Sequence, residues 1–150
     1  MNKEKIAFIP RQYLAVIAVL LAIMMSVLDG TIMNIALPTL AHDFDVTPST
    51  AIWIVNAYQL VITMTLLSFA SLGDIYGYRR IFLIGISIFV GASLACTLST
   101  SFWMLTAARV IQGFGAACVM SVNTALIRLI YPPQILGRGM GVNAMVVAVS

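Results

Sequence analysis

One carboxylate stands where this sequence otherwise avoids water. Asp29 lies in VLDGTIMNIALP (Val27 to Pro38), after the uncharged run YLAVIAVLLAIMMS and before Ile32, Met33, Ile35, Ala36 and Leu37. A charge at the centre of a membrane helix costs roughly 2.5–3.5 kcal/mol even on lenient insertion scales. An acid there calls for a partner, a water-filled cavity or a chemical task. The opposite charge occurs in another apolar run, LTAARVIQGFGAA, as Arg109, with Gln112 three residues on. Helix 1 runs towards Pro38, which puts Asp29 about 13 Å below that surface; Arg109 lies about 9 Å down a helix starting near Trp103. Opposite charges at similar depth can pair, and pairing lowers the cost of each. Two readings of the pair stay open: a structural ion pair, or a titratable carboxylate of the kind that serves intramembrane proton relays.

Other polar residues share those helix faces. Asn56, Gln59 and Thr63 recur at i, i+3 and i+7 of a second apolar run. Arg109, Gln112, Gly113, Ala116, Met120 and Asn123 fall within about 100° of one another at helical spacing. Helix 1 carries Ser26, Asp29, Gly30 and Met33 on one sector and Thr31 and Asn34 on another. Polar faces on several spans favour a shared cavity, in which Asp29, Arg109, Gln112, Asn34, Asn56 and Gln59 are the candidate proton- or substrate-binding residues. Interhelical hydrogen bonding without a cavity is the alternative.

The elements that must position these groups follow from composition. The chain has 150 residues, 61% of them hydrophobic and 9% charged, with a mean hydropathy of +1.04. Soluble domains average about 25% charged residues, so an all-α integral membrane protein is expected. About 20 apolar residues cross the hydrocarbon core. Spans are expected at about 12–40, 50–72, 81–98 and 102–127, with a fifth begun at 140–150 and cut by the chain end. A helix cannot stop in mid-bilayer with its last carbonyls unsatisfied, so the chain reads as the N-terminal part of a longer protein or a truncated product. YPPQ (Tyr131 to Gln134) ends the fourth helix. Small residues at four-residue spacing (Ser87, Gly91 and Ala95; Gly113, Ala117 and Ser121) mark expected packing seams.

The net charge of +3 comes without a basic cluster interleaved with aromatics, so nucleic acid is not an expected partner. Lys3, Lys5, Arg11, Arg79, Arg80, Arg128 and Arg138 all fall at the ends or connections expected on one side. The positive-inside rule makes that side, including residues 1–11, cytoplasmic, and the N-terminus reads as a retained signal-anchor helix. His42, Asp43 and Asp45 then face outward. Cys96 and Cys118 have neither metal-ligand spacing nor a partner thiol, so free thiols and no metal or cofactor are expected.

Three stretches carry a resemblance. LDGTIMNIALP (Leu28 to Pro38) is similar to L-D-x-T-I-V-N-I-A-L-P, the first-helix motif of the fourteen-span drug:proton antiporters of the major facilitator superfamily, differing mainly at Met33. Leu105 to Ala117 matches that family's fourth-helix motif R-x-x-Q-G-x-G-A-A. LGDIYGYRR (Leu72 to Arg80) resembles the loop motif G-x-L-A-D-R-x-G-R-[KR], with Ala70 at the first glycine position and Ile75 at the basic residue after the aspartate. WIVNAY (Trp53 to Tyr58) resembles the start of the family's second helix. The fifth-helix antiporter motif would begin just past Ser150. The resemblance implies a superfamily helical bundle of which this chain supplies four spans and the start of a fifth. It implies a non-enzymatic inner-membrane exporter driven by protons and acting on lipophilic or cationic compounds. Asp29 would be the proton or cation site, Arg109 its partner and Gln112 an assistant, with Asp74, Gly77, Arg79 and Arg80 as a cytoplasmic gate. Metabolite transport within the same superfamily, and a non-transporting membrane scaffold or subunit, are the alternatives.

The charge asymmetry yields a topology test. Cysteines substituted at Asp45 or Ser99 are expected to react with an impermeant thiol reagent added outside, and one at Gln134 is expected to stay unlabelled. Labelling of Gln134 overturns the orientation.

Overall fold

The computed structural model describes residues 9–130 and residue 141. The expected fifth span at 140–150, apart from residue 141, and the connection at 131–138 lie outside the described residues. Four helices follow one another: α1 (Ile9–Asp43), α2 (Pro48–Tyr76), α3 (Tyr78–Thr97) and α4 (Phe102–Ile130). Each contains a stretch long and apolar enough to cross a membrane. Among the described residues the architecture is all-α, as expected.

The helix ends show why the boundaries differ from those read in the sequence. α1 does not stop near Pro38 but runs through it to Asp43. Proline removes one N–H from the ladder and crowds the carbonyl four residues back, yet burying Ala41 and packing Leu40 on the Ile54, Phe102 and Leu105 cluster favours the extra turn. The chain then reverses through Asp45, whose φ of 51° is left-handed, and α2 begins at Pro48, with Thr47 Oγ1 accepting the Thr50 N–H at 3.3 Å. Proline in the first turn and a threonine cap are favoured at such a start. α2 and α3 are separated by Gly77 alone. Its φ of 92° suits a residue without Cβ, and its N–H closes on the Gly73 carbonyl at 3.0 Å. Ser101 Oγ accepts the Met104 N–H at 3.3 Å at the start of α4.

α4 is the central helix. It packs along α3 and α2 and more lightly against α1. One core cluster, at the end bearing the α2–α3 turn, joins Val19, Ile23, Ile81, Phe82, Cys118, Val119 and Val122. A second, at the opposite end, joins Ile54, Phe102 and Leu105. Between them lie Tyr58, Phe89 and Ala116. Large apolar residues elsewhere point outward, among them Ile35, Met64, Leu67 and Trp103, each at least 75% exposed. Such a surface suits acyl chains rather than water.

Glycine decides how closely α3 and α4 approach. A Cβ on Gly115 would lie 2.6 Å from the Phe89 nitrogen and 2.8 Å from the Gly85 carbonyl, and one on Gly85 would lie 2.6 Å from Cys118 Cβ. The seam on α3 is therefore Gly85, Phe89 and Ala92, not the expected Ser87, Gly91 and Ala95. Ser87 and Gly91 are exposed, because two residues of helix turn a side chain to the far face. Spacing alone fits several faces of α3, and the bulk of Phe82 and Phe89 selects the buried one.

Gly115→Val is expected to collapse the yield of folded full-length protein, since its neighbours are rigid backbone; overpacking typically costs about 1–3 kcal/mol, and more where nothing can move. Gly91→Ala, which meets nothing within 4 Å, is expected to be silent. Size-exclusion profiles and melting curves of the two variants check this; equal behaviour contradicts the assigned seam.

Candidate functional site

The three-residue spacing of Arg109 and Gln112 puts both on one face of α4, towards α1. Arg109 Nη1 donates to Asp29 Oδ2 at 2.5 Å and to Gln112 Oε1 at 2.8 Å, and Gln112 Nε2 donates to Asp29 Oδ1 at 3.0 Å. The three side chains form a closed ring of hydrogen bonds in which both carboxylate oxygens are held. The Cys96 thiol on α3 donates to Gln112 Oε1 at 3.6 Å. This fixes the amide's orientation, because the flipped amide would set donor against donor at Arg109 and leave two acceptors facing at Asp29.

Burial differs sharply within the ring. Arg109 and Gln112 are each 1% exposed, whereas the Asp29 side chain keeps 23% of its surface open. The opening leads into a cavity of about 540 Å³ between α1, α3 and α4, walled by Met33, Leu40, Asp43, Ser93, Cys96 and Ser99 as well as the ion pair. This cavity lies towards the connections at 44–47 and 98–101. A second cavity, of about 260 Å³, lies between α1, α2 and α4 and is lined by Ser26, Gly30, Thr31, Asn34, Tyr58, Gln59 and Arg109. Arg109 walls both cavities, and Asp29 walls the larger.

The remaining candidates distribute unevenly. Asn34 and Gln59 line the smaller cavity, where Asn34 Nδ2 donates to the Gly30 carbonyl at 3.1 Å. Asn56 is exposed, two residues and thus about 200° around α2 from the buried Tyr58. The structure does not bring it to the ion pair. At the α2–α3 turn, Asp74 accepts a hydrogen bond from the Tyr78 hydroxyl, and Arg79 and Arg80 are exposed on the first turn of α3. Among the described residues the ion pairs are Asp29–Arg109 and the exposed His42–Asp43 contact at 3.7 Å. No group of three or more potential metal ligands occurs among the described residues, and Cys96 and Cys118 are free thiols.

Sequence reasoning missed Tyr58 and Cys96. The Tyr58 ring lies under the Arg109 guanidinium, 5.2 Å from Cζ to the ring centroid, and Cys96 touches Gln112. The sequence offered for Tyr58 only a tyrosine hydroxyl in an apolar run, which needs a partner once buried; its place on the buried Ala51, Ile54 stripe came from the structure. Cys96 carried no comparable signal.

A bundle of membrane-spanning helices with a buried ion pair between two cavities defines a multi-pass membrane protein of the transporter type. Residues 19–150 match the Major Facilitator Superfamily, and the chain belongs to that superfamily. It is 58% identical over 142 residues to the uncharacterized transporter YebQ of Escherichia coli K12, covering 95% of this chain and 31% of the relative. It is 34% identical over 139 residues to the riboflavin transporter RibZ of Clostridioides difficile (93% and 30% covered). It is 41% identical over 130 residues to the drug efflux pump JefA of Mycobacterium tuberculosis (86% and 26% covered). The chain thus spans about a third or less of the length of these relatives.

The ring's geometry predicts a stability pattern. Arg109→Met in the full-length protein leaves Asp29 without its cation and is expected to cost about 3 kcal/mol, the low end for a broken buried pair because Asp29 is partly open. Asp29→Asn added to Arg109→Met is expected to recover much of that loss. Melting of the single and double variants measures it, and additive losses contradict the pairing energetics.

Proposed function

We propose that this chain forms part of a proton-driven exporter of lipophilic or cationic compounds in the inner (plasma) membrane, with its N-terminus cytoplasmic. The observation that carries the reading is the partly open carboxylate: Asp29 is clamped by Arg109 and Gln112 on α4 yet open to the larger cavity. A proton or an organic cation arriving through that cavity meets one acid and competes for it. Exchange of one for the other at a single carboxylate is antiport, with no separate coupling device. Rigid-body rocking about a fixed midplane site, as in this superfamily, would expose the same acid to either side in turn. Arg109 links the two events, since neutralising Asp29 removes its counter-charge and weakens the contact between α1 and α4.

The loop residues fit a gate. Asp74, Gly77, Arg79 and Arg80 cluster where α2 turns into α3, and a charge-assisted hydrogen bond on Asp74 can tie one bundle end while the bundles move. Relatives named as drug efflux pumps support export of foreign compounds. One observation favours a second reading. The smaller cavity presents Arg109 and several hydroxyl and amide groups, a lining suited to a polar metabolite, and one relative is named a riboflavin transporter. A scaffold role has no such support, since a polar cavity serves nothing in it.

The test uses the full-length protein in proteoliposomes with an imposed proton gradient. Asp29→Asn is expected to keep folding, because Asn still bonds Arg109, and to abolish gradient-driven movement of a fluorescent lipophilic cation. Gradient-driven flux at the wild-type level in that variant would falsify the coupling role of Asp29.

A further inference from the structure

Arg109 has two kinds of support, and only one depends on the charge of Asp29. Its hydrogen bonds to Asp29 and Gln112 leave from Nη1, while Nε is buried and donates to no protein acceptor among the described residues. The guanidinium face lies 5.2 Å from the centroid of the Tyr58 ring. A ring face attracts a cation through its quadrupole, an interaction that persists whatever the protonation of a nearby acid.

The fold goes to some length to place that ring. Tyr58 is 4% exposed, and its hydroxyl donates to the Ser26 carbonyl on α1 at 3.5 Å, one turn before Asp29. Its backbone is set by α4 itself. A Cβ on Gly113, one turn beyond Arg109, would lie 3.0 Å from the Tyr58 carbonyl and 3.1 Å from Val61 Cβ. Glycine at 113 therefore admits α2 to the distance at which Tyr58 reaches beneath the guanidinium. The ring is pinned to α1 at one end and to α4 at the other.

We infer that Tyr58 is a positioning residue of the coupling site, which holds the Arg109 guanidinium in place while Asp29 is neutral. The inference rests on the coupling role proposed above for Asp29. When Asp29 takes a proton or a cation, Arg109 loses its counter-charge and is left with neutral hydrogen-bond acceptors, among them Gln112 Oε1, and the Tyr58 ring. The other titratable groups facing the pair are Cys96 from α3 and Asp43, further along α1 on the larger cavity. Neither replaces the ring, because Cys96 bonds Gln112 and Asp43 lies near the cavity mouth at the end of α1. Without the ring, the guanidinium is free to swing into either cavity, and the two cavities are no longer kept apart during the exchange.

Ring electronics provide the test without changing shape. In the full-length protein, Tyr58→Phe serves as the reference, since it keeps the ring face and loses only the hydroxyl bond to the Ser26 carbonyl. Mono-, di- and trifluorinated phenylalanine at position 58 withdraw electrons from that face and are expected to lower flux stepwise, by roughly 2- to 30-fold across the series, the span of measured cation–π strengths. Tyr58→Leu is expected to lose at least as much, and the near-isosteric fluorinated series decides the matter if it misfolds. Melting of the same series with Arg109 and with Arg109→Met reads the contact independently of transport. A fluorine effect on melting that disappears with Arg109→Met establishes the contact, even if Asp29 proves not to couple protons. Melting indifferent to fluorine overturns the contact, and flux indifferent to fluorine overturns the positioning role.

Discussion

The structure depends on one ion pair in a medium that penalises both of its members. A carboxylate and a guanidinium each lose several kcal/mol of hydration on leaving water, and only good mutual geometry with further hydrogen bonds compensates. Asp29, Arg109 and Gln112 meet that condition by closing a ring in which each carboxylate oxygen has a donor. The ring also explains why α1 is held to α4 although the two helices touch only lightly elsewhere. In lipid, where apolar contact gives helices little reason to prefer one another over acyl chains, polar contacts and close packing take over that role.

Close packing is supplied by the same helix. α4 presents Gly115 to α3 and Gly113 to α2, so its neighbours approach to backbone contact on two sides. Between these contacts the polar side chains of α4 face α1. A helix that is small on two faces and charged on a third acts as the axis of the bundle. The motif containing Arg109, Gln112, Gly113 and Gly115 thus combines two functions in nine residues: the arginine and glutamine fix α1, and the glycines fix the helices that bury the charge.

The asymmetry of the pair is what turns a structural contact into a candidate for transport. The two members of the pair are not buried alike: the arginine is sealed and the acid is left partly open. Asp29 meets the larger cavity, and Arg109, its hydrogen-bond partner, meets both and stands as the wall between them. Any event that neutralises Asp29 therefore acts on the wall itself. In a superfamily that works by exposing a midplane site alternately to the two sides of a membrane, the coupling role proposed for Asp29 would make that contact the link between binding and movement.

The sequence by itself determined the class, the four spans and the pair. Apolar runs of membrane-crossing length leave a chain no alternative to helices, because every backbone group must find its partner within the segment. Two opposite charges in such runs at similar depth can then hardly avoid each other. Helix ends were legible to within a few residues, and the error at Pro38 arose because a proline weakens a helix without ending it when the next turn is buried. Only the tertiary structure decided which faces of α2 and α3 are inside. Asn56 and Tyr58 are two residues apart on one helix, and spacing could not tell that the tyrosine faces Arg109 while the asparagine faces away. The seam on α3 was misassigned for the same reason: several faces carry small residues, and the choice among them lies with the phenylalanines of α3 and the glycines of α4. Periodicity is a property of one helix, whereas burial is a property of its neighbours.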